Sequence, residues 1–596
     1  MSPNTQAGSP AAVVALRLAR YNRFLLLVAG LGGLLYGIDV GIIGGALPYL
    51  EATSHLSPAE LSIIVAAVLL GSVFSTLFAG LLADWMGRKP LMVLSGAAFT
   101  LSIPIIALSH GYSPLFFGRL LQGMSGGLVG VVVPLYLAEC LSAEKRGRGT
   151  GIFQWLLTLG IFAAALIGVY FSYHVAAIEK TSSALALFQA KDHAWRSIFW
   201  VSMPPGLLFV IGSFFVSESP RWLFRRGRAD AAHAALLRSR TPDRAALELG
   251  EMEQIAGKSE EKRRSAVRDS LFQRRYLLPF LLACVILSCN TATGINSLIG
   301  FNTNITLESG LSDVMAHWGY VLFTLLNFLF TIVGMTFVDR KGRRFLFLFG
   351  TSGIIVSMIA AGTLFHRMES HRTDVAMAIQ EQVAADQTLS FQFDNAGFQR
   401  ISGRAASASQ PESLTIIYSY GAFTSTTMPA RSSDAEPATI RIDRAKALPG
   451  STVEAFFRDP FADLSDARTA PLRIEHAYLV PIPSALHGWL VALCLYVFVA
   501  FYAMGPGVCV WLALSELMPT RIRSNGMSIA LVINQLVSTT LAAIFLPVVG
   551  KYGYSTMFFL FAGFTVIYFL TVALFLPETK GKTLEEIEKH FEGVSS

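Results

Sequence analysis

Two ionisable residues stand in strongly apolar surroundings. Asp39 lies in the run Leu34-Leu-Tyr-Gly-Ile-Asp39-Val-Gly, and Arg119 in Phe117-Gly-Arg119-Leu-Leu-Gln122-Gly. A charge inside an apolar segment is costly, so its default reading is functional. A carboxyl in such a place can take and release a proton, and an arginine within reach holds it ionised until the two separate. That is a usable proton switch: the pair parts, Asp39 protonates, and the protein changes state. The competing reading is a permanent structural ion pair.

Neutral polar side chains form a second group. Gln154, Asn290, Asn296, Asn327, Asn534 and Gln535 place amides in apolar stretches, and Trp511 adds an aromatic face. Amides offer donor and acceptor together, which suits the hydroxyls of a sugar, while an aromatic ring suits its C–H surface. Singly, each could merely join helices; together they favour a lined cavity.

The elements that must position these groups are membrane helices. Of 596 residues, 53% are hydrophobic and 15% charged, against about 25% charged in a soluble domain. Twelve stretches, from 24–47 to 554–576, have the roughly 20 apolar residues that a span needs. Net charge is +7, but 31 of the 47 Lys and Arg fall in segments on one side if the N-terminus is inside. The basic excess is therefore explained by topology, with both termini cytoplasmic, and nucleic acid is not called for. The five cysteines show neither a disulfide framework nor zinc spacing. Nothing pairs a nucleophile with a base, clusters metal ligands or cradles a phosphate, so no enzyme, metal or cofactor is expected.

The chain repeats itself. Asp84, Gly87, Arg88 and Lys89 follow the second span, and Asp339, Gly342, Arg343 and Arg344 follow the eighth; Glu139 precedes Arg146 by seven residues, as Glu516 precedes Arg523. Six helices plus six is the parallel-repeat plan of major facilitator transporters. An acid at a helix end beside a basic loop can act as a breakable latch. The expected organisation is a first half over 20–216, a cytoplasmic helical linker over 217–275, a second half over 276–365 and 486–577, and a cytoplasmic tail over 578–596. Residues 366–485 interrupt the second half. Alternating runs at Leu389–Phe393, Leu414–Tyr420 and Thr439–Asp443 predict a small β-rich external insert. His366, His371 and His476 are read as solvated surface residues.

On these motifs the sequence resembles the sugar porter family of the major facilitator superfamily. Pro134-Leu-Tyr136-Leu-Ala-Glu139, Glu218-Ser-Pro220-Arg221, Gly294-Ile-Asn296 and Pro577-Glu578-Thr579 carry the resemblance alongside the Gly-Arg loops. It implies an all-α membrane protein of twelve helices that moves a monosaccharide or polyol by alternating access. Gln154, Asn296, Asn327 and Trp511 match sugar-contacting positions. Asp39 and Arg119 match the pair of proton-coupled members. Asp84, Arg88, Glu139, Arg146, Asp339, Arg343, Glu516 and Arg523 match the gating network. There are departures. Asn290 and Thr291 stand where two glutamines are usual, Gly300 and Phe301 replace an aromatic pair, and Gln535 replaces a tryptophan. These imply a wider or more polar cavity and a different sugar or a polyol. The expectation is a proton symporter, monomeric and surrounded by lipid in a bacterial inner membrane. The alternatives are a facilitative uniporter and a sugar receptor with a transporter fold.

Overall fold

The computed structural model describes residues 10–54, 56–141, 143–181, 183–264, 274–404, 411–427, 429–432, 438–449, 455, 463–518, 522–578 and 591. Twelve helices in it are long and apolar enough to cross a membrane, so the protein is an integral, multi-pass membrane protein. The first six spans are Pro10–Ser54, Pro58–Met86, Arg88–Ala107, Tyr112–Cys140, Ala143–Glu179 and the pair Ala184–Val201 with Met203–Phe215. The seventh is built from Arg274–Ala292, Ile295–Gly300 and Asn302–Glu308; Asp313–Lys341 and Arg343–Glu369 follow. The last three are Ala485–Met504 with Pro506–Leu517, Arg523–Tyr552 and Tyr554–Phe575. An even number of spans returns both termini to one face, and the segment after the ninth emerges on the other.

Helix boundaries depart from simple hydropathy where charges find partners. The sixth span starts at Ala184 rather than 196 because Arg196 Nε lies 2.8 Å from Asp192 and its Nη1 donates to the carbonyls of Ala107 and Ser109. The second span begins with a capping box: the Glu60 amide donates to Ser57 Oγ at 3.3 Å, and the Ser57 amide to Glu60 at 2.8 Å. The linker holds the helices Pro220–Arg225, Ala229–Leu237 and Pro242–Arg264.

The seventh and tenth spans are interrupted. Gly294, at φ 92°, takes a left-handed turn between two pieces of the seventh, and a Cβ there would meet the Phe561 ring. Pro506, which lacks an amide hydrogen, restarts the tenth after Gly505. Broken helices survive at membrane depth where they face protein or a cavity.

Among its described residues the insert carries seven strands: β1 Thr373–Asp374, β2 Leu389–Phe393, β3 Glu412–Tyr420, β4 Phe423–Thr426, β5 Ala430–Arg431, β6 Ala438–Ile442 and β7 Leu472–Pro481. One antiparallel sheet runs β1-β7-β3-β4 with β5 on β3, and a second pairs β2 with β6. The alternation in β2 is borne out: Leu389, Phe391 and Phe393 are buried while Ser390 and Gln392 are exposed. In β7 the buried set Leu472 and Ile474 changes phase to Ala477 and Leu479, because the pairing to β3 slips at Ile417/Tyr418 and leaves Glu475 unopposed.

The described hydrogen bonds that join the two halves gather toward the insert face. Tyr320 Oη donates to the Gly41 carbonyl (2.8 Å), Thr303 Oγ1 to that of Gly44 (2.6 Å), and Tyr49 Oη to Asp313 (2.8 Å). Deeply buried His317 lies 3.1 Å from the Gly45 carbonyl through Nε2 and 2.9 Å from that of Asp313 through Nδ1, with Tyr49 stacked on its ring. The Leu546 amide donates to Ser62 Oγ at 3.0 Å. The route between the halves is therefore closed on this side.

Candidate functional site

Asp39 and Arg119 come from adjacent spans and are both about 1% exposed. They are close enough to feel each other's charge but do not make an ion pair. Arg119 Nη1 instead donates to Gln122 Oε1 at 2.6 Å, one turn along its own helix, with the guanidinium 5.6 Å from the Phe199 ring centre. Neither Asp39 oxygen has a hydrogen-bond partner. The carboxylate faces Gly126 of the fourth span, where a Cβ would fall 2.6 Å from Oδ2. The close approach of that helix thus depends on glycine. The two side chains are both buried on packed spans, and no hydrogen bond or ion pair joins them.

The amides of the second half form a connected set around the break in the seventh span. Thr291 Oγ1 hydrogen-bonds Asn534 Oδ1 of the eleventh span. Asn290 Nδ2 donates to Tyr502 Oη at 3.2 Å, and its Oδ1 is unpartnered. Asn296 Nδ2 donates to Ser538 Oγ at 2.7 Å. Gln535, next to Asn534, reaches the first half: Nε2 lies 3.5 Å from Ser72 Oγ, and the side chain is within hydrogen-bonding reach of Tyr36. Tyr36 is one turn from Asp39. Gln535 thus stands beside Asn534, whose Oδ1 accepts from Thr291, and reaches toward the part of the first half that carries Tyr36 and Asp39. Gln154 and Asn327 are half-buried and buried, on the fifth and eighth spans. Beside them the rings of Trp155 and Phe328 meet across the halves at 5.6 Å. The Trp511 side chain lies outside the described residues.

On the termini face several bonds of the repeat recur in both halves. Arg88 Nη1 donates to the Ala83 carbonyl at 2.8 Å and Nη2 to Glu139 at 2.9 Å; Arg343 Nη1 reaches the Val338 carbonyl at 3.5 Å and Nη2 Glu516 at 3.1 Å. Glu218 accepts the Arg88 and Lys89 amides, as Glu578 accepts those of Arg343 and Arg344. Lys89 Nζ donates to the Phe214 carbonyl, as Arg344 Nη2 does to that of Ala573. Gly87 and Gly342, at φ 101° and 92°, make the turn that permits this, and a Cβ on either would strike the capping glutamate. Asp84 lies 3.0 Å from Arg88. Glu139 also receives Arg225 (2.9 Å) and Ser219 (2.5 Å).

These described bonds tie spans together within each half. The side chains of Arg146, Asp339 and Arg523 lie outside the described residues. Glu218, Glu578 and Arg225 are network members that spacing alone did not single out. The first two stand inside motifs but outside the repeated Glu-to-Arg interval of seven. Tyr36, Gln122 and His317 were also missed, since only three-dimensional proximity to Asp39, Arg119 and Gly45 distinguishes them.

Comparison with known proteins agrees with this geometry. Over 95% of its length the chain is 26% identical to the glucose transporter GlcP of Staphylococcus epidermidis, covering 97% of that protein. It is likewise 26% identical to the human proton myo-inositol cotransporter, over 95% of this chain and 81% of that one. The fold matches the inward-open xylose transporter XylE of E. coli with a TM-score of 0.61 at 19% identity, covering 95% and 98% of the two chains. The family model of the sugar (and other) transporters matches residues 25–380 and 477–591, leaving out most of the insert. The chain belongs to the sugar (and other) transporter family of membrane carriers; it is not an enzyme.

Proposed function

We propose that this protein is a proton-coupled symporter for a monosaccharide or polyol, working by alternating access of its two halves. The observation that carries the proposal is Asp39: a fully buried carboxylate without a hydrogen-bond partner, beside Arg119 but not paired with it. One state of the carrier pairs the two charges, and the other leaves Asp39 free to hold a proton. Tyr36, one turn from Asp39, and Gln535, beside Asn534, bring this event close to the amides that would hold the solute. Asn290, Thr291, Asn296, Asn534 and Gln535 form the solute site from the second half, with Gln154, Asn327 and Trp511 around them. Asp84, Arg88, Glu139 and Arg146, with Asp339, Arg343, Glu516 and Arg523, form the gates on the termini face. The relatives named for inositol and for glucose support a polyhydroxylated solute, and the short Asn-Thr pair at 290–291 favours a polyol over an aldohexose.

The basic termini face is cytoplasmic, the insert external, and the membrane a bacterial inner membrane. The working unit is a monomer. Uptake of a panel of labelled sugars and polyols into proteoliposomes, with and without an inward proton gradient, tests the reading. Accumulation of one solute above equilibrium only with the gradient is expected. Equilibration that ignores the gradient would reject symport, and no uptake of any member would reject the solute class.

A further inference from the structure

Between the insert and the ends of the membrane helices lies a cavity of about 140 Å³ to which both halves and the insert contribute. Glu51 enters from the first span, Asn304 and Glu308 from the seventh, and Thr415, Arg431 and Tyr478 from the sheet. Asn304 is 7% exposed; its Nδ2 hydrogen-bonds Glu51 across the halves, while its Oδ1 has no partner. This floor sits directly above the closed seam of Thr303 and Gly44. Along the seventh span, Asn304 is eight residues from Asn296, or about 12 Å at helical rise.

The cavity's charged lining is Glu51, Glu308, Glu369, Arg372 and Arg431, and each of these groups has a partner within the protein, Glu51 through Asn304. Arg431 Nη2 lies 2.9 Å from Glu308, the Arg372 guanidinium stacks 4.0 Å from the Tyr478 ring centre, and Glu369 accepts the Ser555 amide. Groups already partnered in this way leave no bare charge aimed at an ion. They present donor and acceptor edges together, beside the rings of Tyr478 and Tyr554 and an apolar wall of Leu546 and Val549. This is a surface for a neutral, polyhydroxylated molecule.

We infer that this cavity is a second binding site for the transported sugar or polyol, a vestibule in which one molecule waits between the insert and the closed seam. The inference rests on the transport reading above. Opening the halves separates Glu51 from Asn304 and turns the floor of the vestibule into the entrance of the central site.

The test is equilibrium binding of tritiated myo-inositol and, separately, D-glucose to the purified full-length protein, counted as molecules per chain. Two molecules of the accepted solute per chain are expected. Arg431→Ala should weaken one by tenfold or more and leave the other, and Asn296→Ala should weaken the other by about 2- to 13-fold and leave the first. Thr415→Trp, which fills the cavity from the sheet, should reduce the count to one. It also serves if Arg431→Ala does not fold. One molecule per chain, insensitive to Arg431→Ala and Thr415→Trp but weakened in Asn296→Ala, would overturn the vestibule and leave the transport reading intact. No binding of either probe by the unaltered protein would overturn both.

Discussion

The two halves are built alike at their ends and unlike in their middles. On the termini face Arg88, Glu139 and Glu218 do what Arg343, Glu516 and Glu578 do, down to the carbonyl that each arginine caps. At mid-membrane the first half supplies the charged couple, Asp39 and Arg119, whereas the second supplies a broken helix and a run of amides. A duplicated frame keeps its end networks and differs in what it places between them. The two parts approach each other at Ser72 and Gln535, where Nε2 lies 3.5 Å from Oγ.

The resemblance of the ends conceals a difference in depth, and that gives the largest expected effect. The side chains of Arg88 and Glu139 are 2% and 7% exposed, those of Arg343 and Glu516 14% and 22%. Glu139→Ala removes the buried partner of Arg88, leaving it only the exposed Asp84 carboxylate, and should cost about 3–5 kcal/mol. Glu516→Ala loses a better-hydrated bond and should cost about 1.5–3 kcal/mol. Thermal melts of the two variants in one detergent measure the gap, and equal losses would mean that the halves are alike in energy as well as in pattern.

Next in size is the break that only the second half uses for its amides. Gly294→Ala places a Cβ into a left-handed turn and against Phe561, at about 1–2 kcal/mol for the backbone alone. Uptake should fall further than stability, because Asn296 and Thr291 are aimed by that turn. Smaller again is Asn296→Ala, which removes one neutral hydrogen-bonding group worth about 0.5–1.5 kcal/mol. KM should rise about 2- to 13-fold while the response to a proton gradient is unchanged, which separates solute holding from proton coupling.

The least effect is expected in the insert. Burial alone would raise the Asp374 carboxyl, but the Ala477 and Ala376 amides and the His476 ring, 2.7 Å away, together hold it below the usual carboxylate range. A depressed carboxyl stabilises the fold above its unfolded value and loses that contribution as pH falls through the folded one. Asp374→Asn should therefore cost less than about 1 kcal/mol near neutrality, since the pair is well exposed. The difference from the unaltered protein should vanish in acid, as pH-dependent melts would record.

Much of this was legible in the sequence because lipid and strand periodicity impose simple rules. Spans announce themselves by length, and β2 by its apolar-polar alternation. The repeat announced the networks through Gly-Arg and through the two glutamates. What could not be read were relations that only packing creates. The extension of the sixth span depends on carbonyls of the third-span end accepting Arg196. The phase change in β7 depends on a bulge opposite β3. Glu218 and Glu578 act through backbone amides of residues far away in sequence, and Tyr36 gains meaning only when Gln535 lies against it.

The division of labour between the halves is tested most directly at Asp39. In proteoliposomes with an imposed inward proton gradient, the unaltered protein should concentrate its solute above equilibrium. Asp39→Asn should still exchange labelled for unlabelled solute across the membrane yet accumulate none. Undiminished accumulation by Asp39→Asn, or an unaltered protein that equilibrates regardless of the gradient, would contradict the account.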